Sequence, residues 1–204
     1  MRRQLLYALL GGTVAAVVFL ALAARDEPGT SVPASAPAAP QRAELGWVER
    51  YPAEGGGLVF RVASFEVHDD GWKADVSVTN ESPARFAVGD PKASLDRTFG
   101  VMLFRTGDLR EVDQRFQAGD APGLRSAREI TPPLPLVLEP GATWEGELAA
   151  PGSLAAGRWA RIVFGRFIPI GDAPSGLDQP FAWTTDNAYR LRGGEPAVVP
   201  ASTG

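Results

Sequence analysis

The single histidine, His68, is followed directly by Asp69 and Asp70. An imidazole beside carboxylates is the raw material of general acid–base catalysis, a Ser-His-Asp triad or a cation site. One histidine restricts all three. A triad would have to be built on His68, and a centre with several imidazole ligands cannot form within one chain. Calcium needs six or more converging oxygens, and no EF-hand spacing is present. The plainer expectation for His68-Asp69-Asp70 is a polar hairpin tip. The chain has no cysteine, which excludes disulfides, thiolate nucleophiles and cysteine-based zinc sites. Met102 and His68 are two ligands at most for copper, so Met102 is expected to fill core space.

Glu139, Glu145 and Glu147 are the next candidates, because paired carboxylates hydrolyse glycosides across a cleft. Glu145 and Glu147, however, alternate with Trp144 and Leu148, which puts both carboxylates on one solvated strand face. Asn80-Glu81-Ser82 has the form of a glycosylation sequon; the simpler reading is a turn whose side chains bond the local backbone. Of the five tryptophans, Trp72, Trp144, Trp159 and Trp183 fall in or beside candidate strands. At least two should pack in the core, and any that are exposed would offer a platform to a sugar or a partner protein. Arg158, Arg161 and Arg166 line one segment. Arg161 shares the face of Trp159 and Val163, as a paired or stacked arginine would, although an exposed edge is the plainer reading. Trp72, Trp144, Trp159, Trp183 and Arg161 are thus the candidate ligand or partner surface. No catalytic residue, metal or cofactor is expected, and the chain reads as a non-enzyme.

What must position these residues follows from charge and hydropathy. Leu5–Ala24 holds no charge over 20 residues, the length needed to cross about 30 Å of hydrocarbon. Arg2 and Arg3 precede it, so the N-terminus is expected in the cytoplasm and the remainder outside. Residues 1–25 are read as an uncleaved anchor. Cleavage after Ala21-Leu22-Ala23 is the alternative, and would release a secreted domain. All 24 acidic residues follow residue 25 and only 17 of the 20 basic ones do, a net of −7 that argues against nucleic acid as a partner. Residues 26–43, with prolines at 28, 33, 37 and 40, read as a spacer. Residues 194–204 read as a disordered tail. The folded domain is expected over 44–193.

Within that domain the dominant period is two. In Lys73–Asn80, Ala74, Val76 and Val78 point one way while Lys73, Asp75, Ser77 and Thr79 point the other. Leu58–Val67 precedes it, joined through the hairpin signal Asp70-Gly71. The inward phase slips between Phe60/Val62 and Phe65/Val67, which predicts a bulge near Ala63-Ser64. Further strands are expected at 47–51, 86–88, 99–105, 109–112, 134–138, 143–148, 158–167 and 181–191. Gln114–Arg128 has room for one helical turn, but its Gly and Pro favour a long loop. Seven to nine strands with Pro/Gly turns make an all-β, antiparallel sandwich.

Three segments carry a resemblance: V-S-V-T-N-E-S at 76–82 followed by Phe86, L-E-P-G-A-T-W-E-G at 138–146, and A-P-G-S-L-A-A-G-R-W-A-R-I-V-F-G at 150–165. This succession resembles immunoglobulin-like extracytoplasmic domains of bacterial membrane-anchored proteins. The resemblance covers 58–168 and implies an immunoglobulin-like β-sandwich; it transfers no catalytic residue. The function expected is a non-catalytic binding or assembly module at the cell membrane with an envelope protein as partner. A carbohydrate or cell-wall module using exposed tryptophan is the alternative. A hydrolase would require His68, or two carboxylates, to meet a nucleophile in a pocket.

Overall fold

The computed structural model describes residues 36–89 and 95–193. The expected anchor, spacer residues 26–35 and the tail lie outside the described residues. Among the described residues no helix is long and apolar enough to cross a membrane.

Two antiparallel sheets pack as a sandwich. The first is built from β1 (Gln41–Tyr51), β2 (Leu58–Val67), β3 (Gly71–Asn80), β9 (Thr143–Pro151) and β7 (Glu129–Thr131), in that order. The second runs β6 (Arg125–Ser126), β5 (Gly100–Phe104), β10 (Trp159–Ile170), β4 (Arg85–Ala87) and β8 (Val137–Leu138). β11 (Phe181–Thr184) and β12 (Tyr189–Arg190) also pair with β10.

The period-two reading of β3 holds, with Ala74, Val76 and Val78 buried and Lys73 and Asp75 exposed. The expected bulge is present, since the β2–β3 register shifts between Val62 and Ser64. It lets Val62 and Phe65 both face inward. A second irregularity, at Gly46 in β1, needs a positive φ of 59° and shifts the β1–β2 register between Glu44 and Trp47.

Four expectations are corrected. Leu109–Val112 is not a strand: α1 (Leu109–Gln117) is a short helix, so the fold is mostly rather than wholly β. Asp108 is its N-cap, accepting from the Arg110 amide at 2.9 Å. The expected loop 114–128 holds the end of α1 and all of β6. The expected strand at 134–138 is paired only at Val137–Leu138. The strand expected over 181–191 is broken in two because Thr185 turns in: its amide donates to the Ile162 carbonyl, and its hydroxyl accepts from the Ile162 amide.

Strand register defines two ends of the molecule. At the proximal end the chain enters through Pro37 and Ala38, which bridge Ala155 and Gly193. Gln41, the β2–β3 turn, Pro151 and the start of β10 lie there too. At the distal end are the β1–β2 turn, the Thr79–Thr143 pair and the end of β10 beside β4. The core between the sheets is aromatic. Phe60 meets Phe164 at 4.9 Å between centroids, and Phe167 meets Phe181 at 5.4 Å. Phe60, Phe164 and Phe167 are fully buried, and each such ring contributes about 1.5–3 kcal/mol.

Candidate functional site

Arg161 is the third residue of β10 and is fully buried. Its guanidinium donates to the Thr185 carbonyl at 2.7 Å, to the Asp186 carbonyl, and to the Gly107 carbonyl at 3.1 Å. It also stands 5.7 Å over the Phe104 ring. Arg161 is therefore paired and stacked, and the exposed-edge reading is corrected. Burial lowers its pKa, opposed by Asp186, Glu49 and Asp113. Burial likewise raises Asp113, against the pull of Arg161. Burial and the neighbouring Glu49 raise Asp186.

Glu49 on β1 completes this cluster from the other sheet. One carboxylate oxygen accepts from Trp183 Nε1 at 2.8 Å and the Asp186 amide at 2.9 Å. The other accepts from the Asn187 amide at 3.0 Å and Asn187 Nδ2 at 2.8 Å. Chemically the cluster is a clasp. It holds the 184–187 loop and the turn before α1, and the Thr185 hydroxyl is committed to the backbone, donating to the Asn187 carbonyl at 2.9 Å and accepting from the Ile162 amide.

The tryptophans are turned inward. Trp72 and Trp144, named as candidates for a ligand surface, are instead two that pack in the core, 2% and 6% exposed, and Trp144 Nε1 donates to the Pro132 carbonyl at 3.2 Å. Trp183 is half-buried and stacks on Phe60 with 6° between ring planes. Trp159 is half-buried, and a Cβ on Gly107 would stand 2.9 Å from its ring. The structure brings together Arg161 and Trp183 through Glu49, and Trp159 through the Gly107 turn. Trp72 and Trp144 belong to a different part of the core.

The other candidates disperse. His68 opens the β2–β3 turn, its amide donating to the Gly71 carbonyl; Nε2 has only Glu66 Oε1 near it, at 3.6 Å. Glu147 pairs with Lys73 at 3.2 Å, and Glu139 pairs with Arg85 through two bonds of 2.7 and 2.8 Å. Asn80 is buried. It donates to the Ala84 and Leu138 carbonyls and accepts from the Ser82 amide and hydroxyl, which is the turn role expected of it. Among the described residues no three His, Asp or Glu side chains gather as a metal site.

No protein-family model, curated protein or solved structure matches the chain. The surface therefore has to be read from its own chemistry, and two regions stand out.

At the proximal end a cleft of 380 Å³ is lined by Arg105, Arg115, Arg125 and Arg158, with Phe104 and Asp120 among its other residues. Ligand pockets of this size are ordinarily lined by apolar side chains with few charges; this one carries four arginines beside its apolar residues. Arg115 is compensated by Glu111 at 3.3 Å and Asp120 at 3.0 Å. Arg125 gives one donor to the Ser153 carbonyl at 3.1 Å. Among the described residues, Arg105, Arg125 and Arg158 have no carboxylate within 4.0 Å. Sequence reasoning passed over this cleft because its arginines come from four separate segments and form no local cluster.

At the distal end, Ala87, Val137 and Ile168 stand opposite one another across β4, β8 and β10. All three are half-buried, while Phe86 and Leu138 beside them are buried on the other face. Ile170, 37% exposed and two residues beyond Ile168, extends this apolar row. The row is bordered by the Arg85–Glu139 ion pair.

Proposed function

We propose that this chain is a non-catalytic, extracytoplasmic binding module, held at the cell membrane by residues 5–24, that contacts an envelope protein through the distal apolar row. The observation that carries the reading is the clustering of Val137, Ala87, Ile168 and Ile170 on one surface rimmed by an ion pair. Apolar side chains grouped inside a polar rim are the anatomy of a protein interface. β8 is only two residues long and follows Pro135, which discourages strand addition, so the contact is made by side chains. The immunoglobulin-like reading belongs to the same proposal. It is supported by the chain leaving the first sheet after β3 and returning with β9 beside β3.

Photo-crosslinking from membranes tests it. A photoreactive residue at Val137 should give one discrete protein adduct that weakens when Ile170 is replaced by Glu. The same group at Val48, 49% exposed on β1, should not give that adduct. Equal adducts from both positions, or none from either, would refute the interface. Intact mass of the membrane-extracted chain tests the anchor separately, since a mature chain beginning near Ala24 removes it.

A further inference from the structure

The geometry points to the proximal arginine cleft as a binding site for the phosphodiester headgroup of an anionic phospholipid, seating the domain on the bilayer that its anchor spans. This rests on the anchor reading above. Three observations combine. Arg105, Arg125 and Arg158 line the cleft without a carboxylate partner among the described residues, and a guanidinium fork matches phosphate oxygens in pairs. The one acid in the cleft lining, Asp120, is occupied by Arg115, as is Glu111, while Glu44 and Glu66 pair with Arg42, and Asp69 and Asp70 sit at the β2–β3 turn beside a second cleft. That second cleft adds Arg97 and Arg128 and shares Arg125, so positive charge continues across the end face.

The third observation is where the chain enters. The Ala36 carbonyl accepts from the Ala156 amide, and Pro37 bridges Ala155, which itself lines the first cleft. Ten residues, 26–35, separate this point from the charged boundary at Arg25. Fully extended they reach at most about 36 Å. The opposite end of β10 lies about 36 Å further along the domain, at about 3.3 Å per residue. Bringing the distal apolar row to the headgroups would need the tether at that full extension, so every shorter span presents the arginine end. The acidic charge of the domain as a whole would otherwise repel that surface, which makes a local basic seat necessary for close approach.

The absence of cysteine permits single-site labelling of the full chain. One label goes at Ala118→Cys, exposed at the C-terminal cap of α1 and outside the cleft lining; the control goes at Glu54→Cys, exposed at the distal end. The labelled chain is placed in nanodiscs of phosphatidylcholine alone, or of equal parts phosphatidylcholine and phosphatidylglycerol, with a headgroup quencher. Quenching at 118 should rise in the anionic discs and stay unchanged at 54. Each of Arg105→Gln and Arg158→Gln should lower the ratio of seated to lifted domain by about fivefold, and salt should lower it further. Equal quenching in the two disc types overturns the lipid site while leaving the anchor intact. If inorganic phosphate protects the cleft from amide exchange while the anionic discs bring label 118 no closer, the ligand is a soluble phosphate and the lipid source is wrong. A chain cleaved near Ala23 and recovered outside the discs removes the anchor, and this inference with it.

Discussion

Replacing Glu49 with Gln probes the clasp at its single acidic centre. The carboxylate accepts four hydrogen bonds, two at each oxygen. An amide keeps one oxygen and turns the other position into a donor. Whichever way the amide is turned, two N–H groups then face an NH₂. The choice lies between the pair from Trp183 and Asp186 and the pair from Asn187. Losing two charge-assisted bonds costs about 1.5–3 kcal/mol each where water is excluded. The Asp186–Asn187 loop is exposed, so water recovers part of this and the net cost is about 2–3 kcal/mol. Arg161 also loses one of the acids that hold its charge. Opening of the 184–187 loop should become roughly 30- to 150-fold more frequent. Amide exchange of the full chain in mild detergent reads this directly at Asp186 and Asn187. Glu44→Gln is the matched control, because Glu44 lies on the same strand but is exposed and pairs only with Arg42, at 2.9 Å. That control should change opening by less than about 1 kcal/mol. If Glu49→Gln exchanges no faster than Glu44→Gln, the clasp is not what holds the loop.

Asn80→Ala should cost about 3 kcal/mol or more in a denaturant titration, since it strands the Ala84 and Leu138 carbonyls and the Ser82 amide in a buried turn. Trp144→Ala should cost about 3–5 kcal/mol by the same measurement, as for other buried aromatics. Gly146→Ala would bring a Cβ to 2.7 Å from the Thr131 carbonyl and from the Trp144 ring; displacing β7 should cost about 1–3 kcal/mol and expose its amides to exchange. Asp113 is raised above its unfolded value of 3.8, so the folded state binds the extra proton and stability falls as pH rises from that value through the folded one. Asp113→Asn should flatten that fall and stabilise the neutral protein; a steeper fall would mean the Arg161 attraction outweighs burial.

Local pattern carried far. The alternation of Ala74, Val76 and Val78 gave β3 its inward face, and the phase slip across Ala63-Ser64 gave the bulge, because both depend on a two-residue period that one strand imposes on itself. The Asn80 turn was legible for the same reason. α1 was missed although its signal was present: Asp108 followed by Glu111 is the N-cap and N3 pair of a capping box, and Arg115 lies one turn beyond Glu111. Its mean polarity hid the single buried Val112. Arg161 could not be assigned from its neighbours. Its three carbonyl partners come from turns at 107 and 185–186, whose meeting is a property of the assembled sheets. The proximal cleft was illegible on the same ground, with Arg105, Arg115, Arg125 and Arg158 converging only once β5, α1, β6 and the turn before β10 are packed.

β1 enters at the proximal end and runs to the distal end, paired to β2 at nine positions. Tension applied between the tether and a partner on the distal row would pull β1 along its own axis. The ladder bonds lie across that axis, so they are loaded together in shear instead of being peeled one after another. Before β1 feels the load, the Ala38–Leu154 and Ala39–Arg192 bonds at the root must give way, at 2.7 and 2.9 Å. The place where the chain enters thus sets the yield point at the proximal root, a sacrificial link ahead of the sandwich itself.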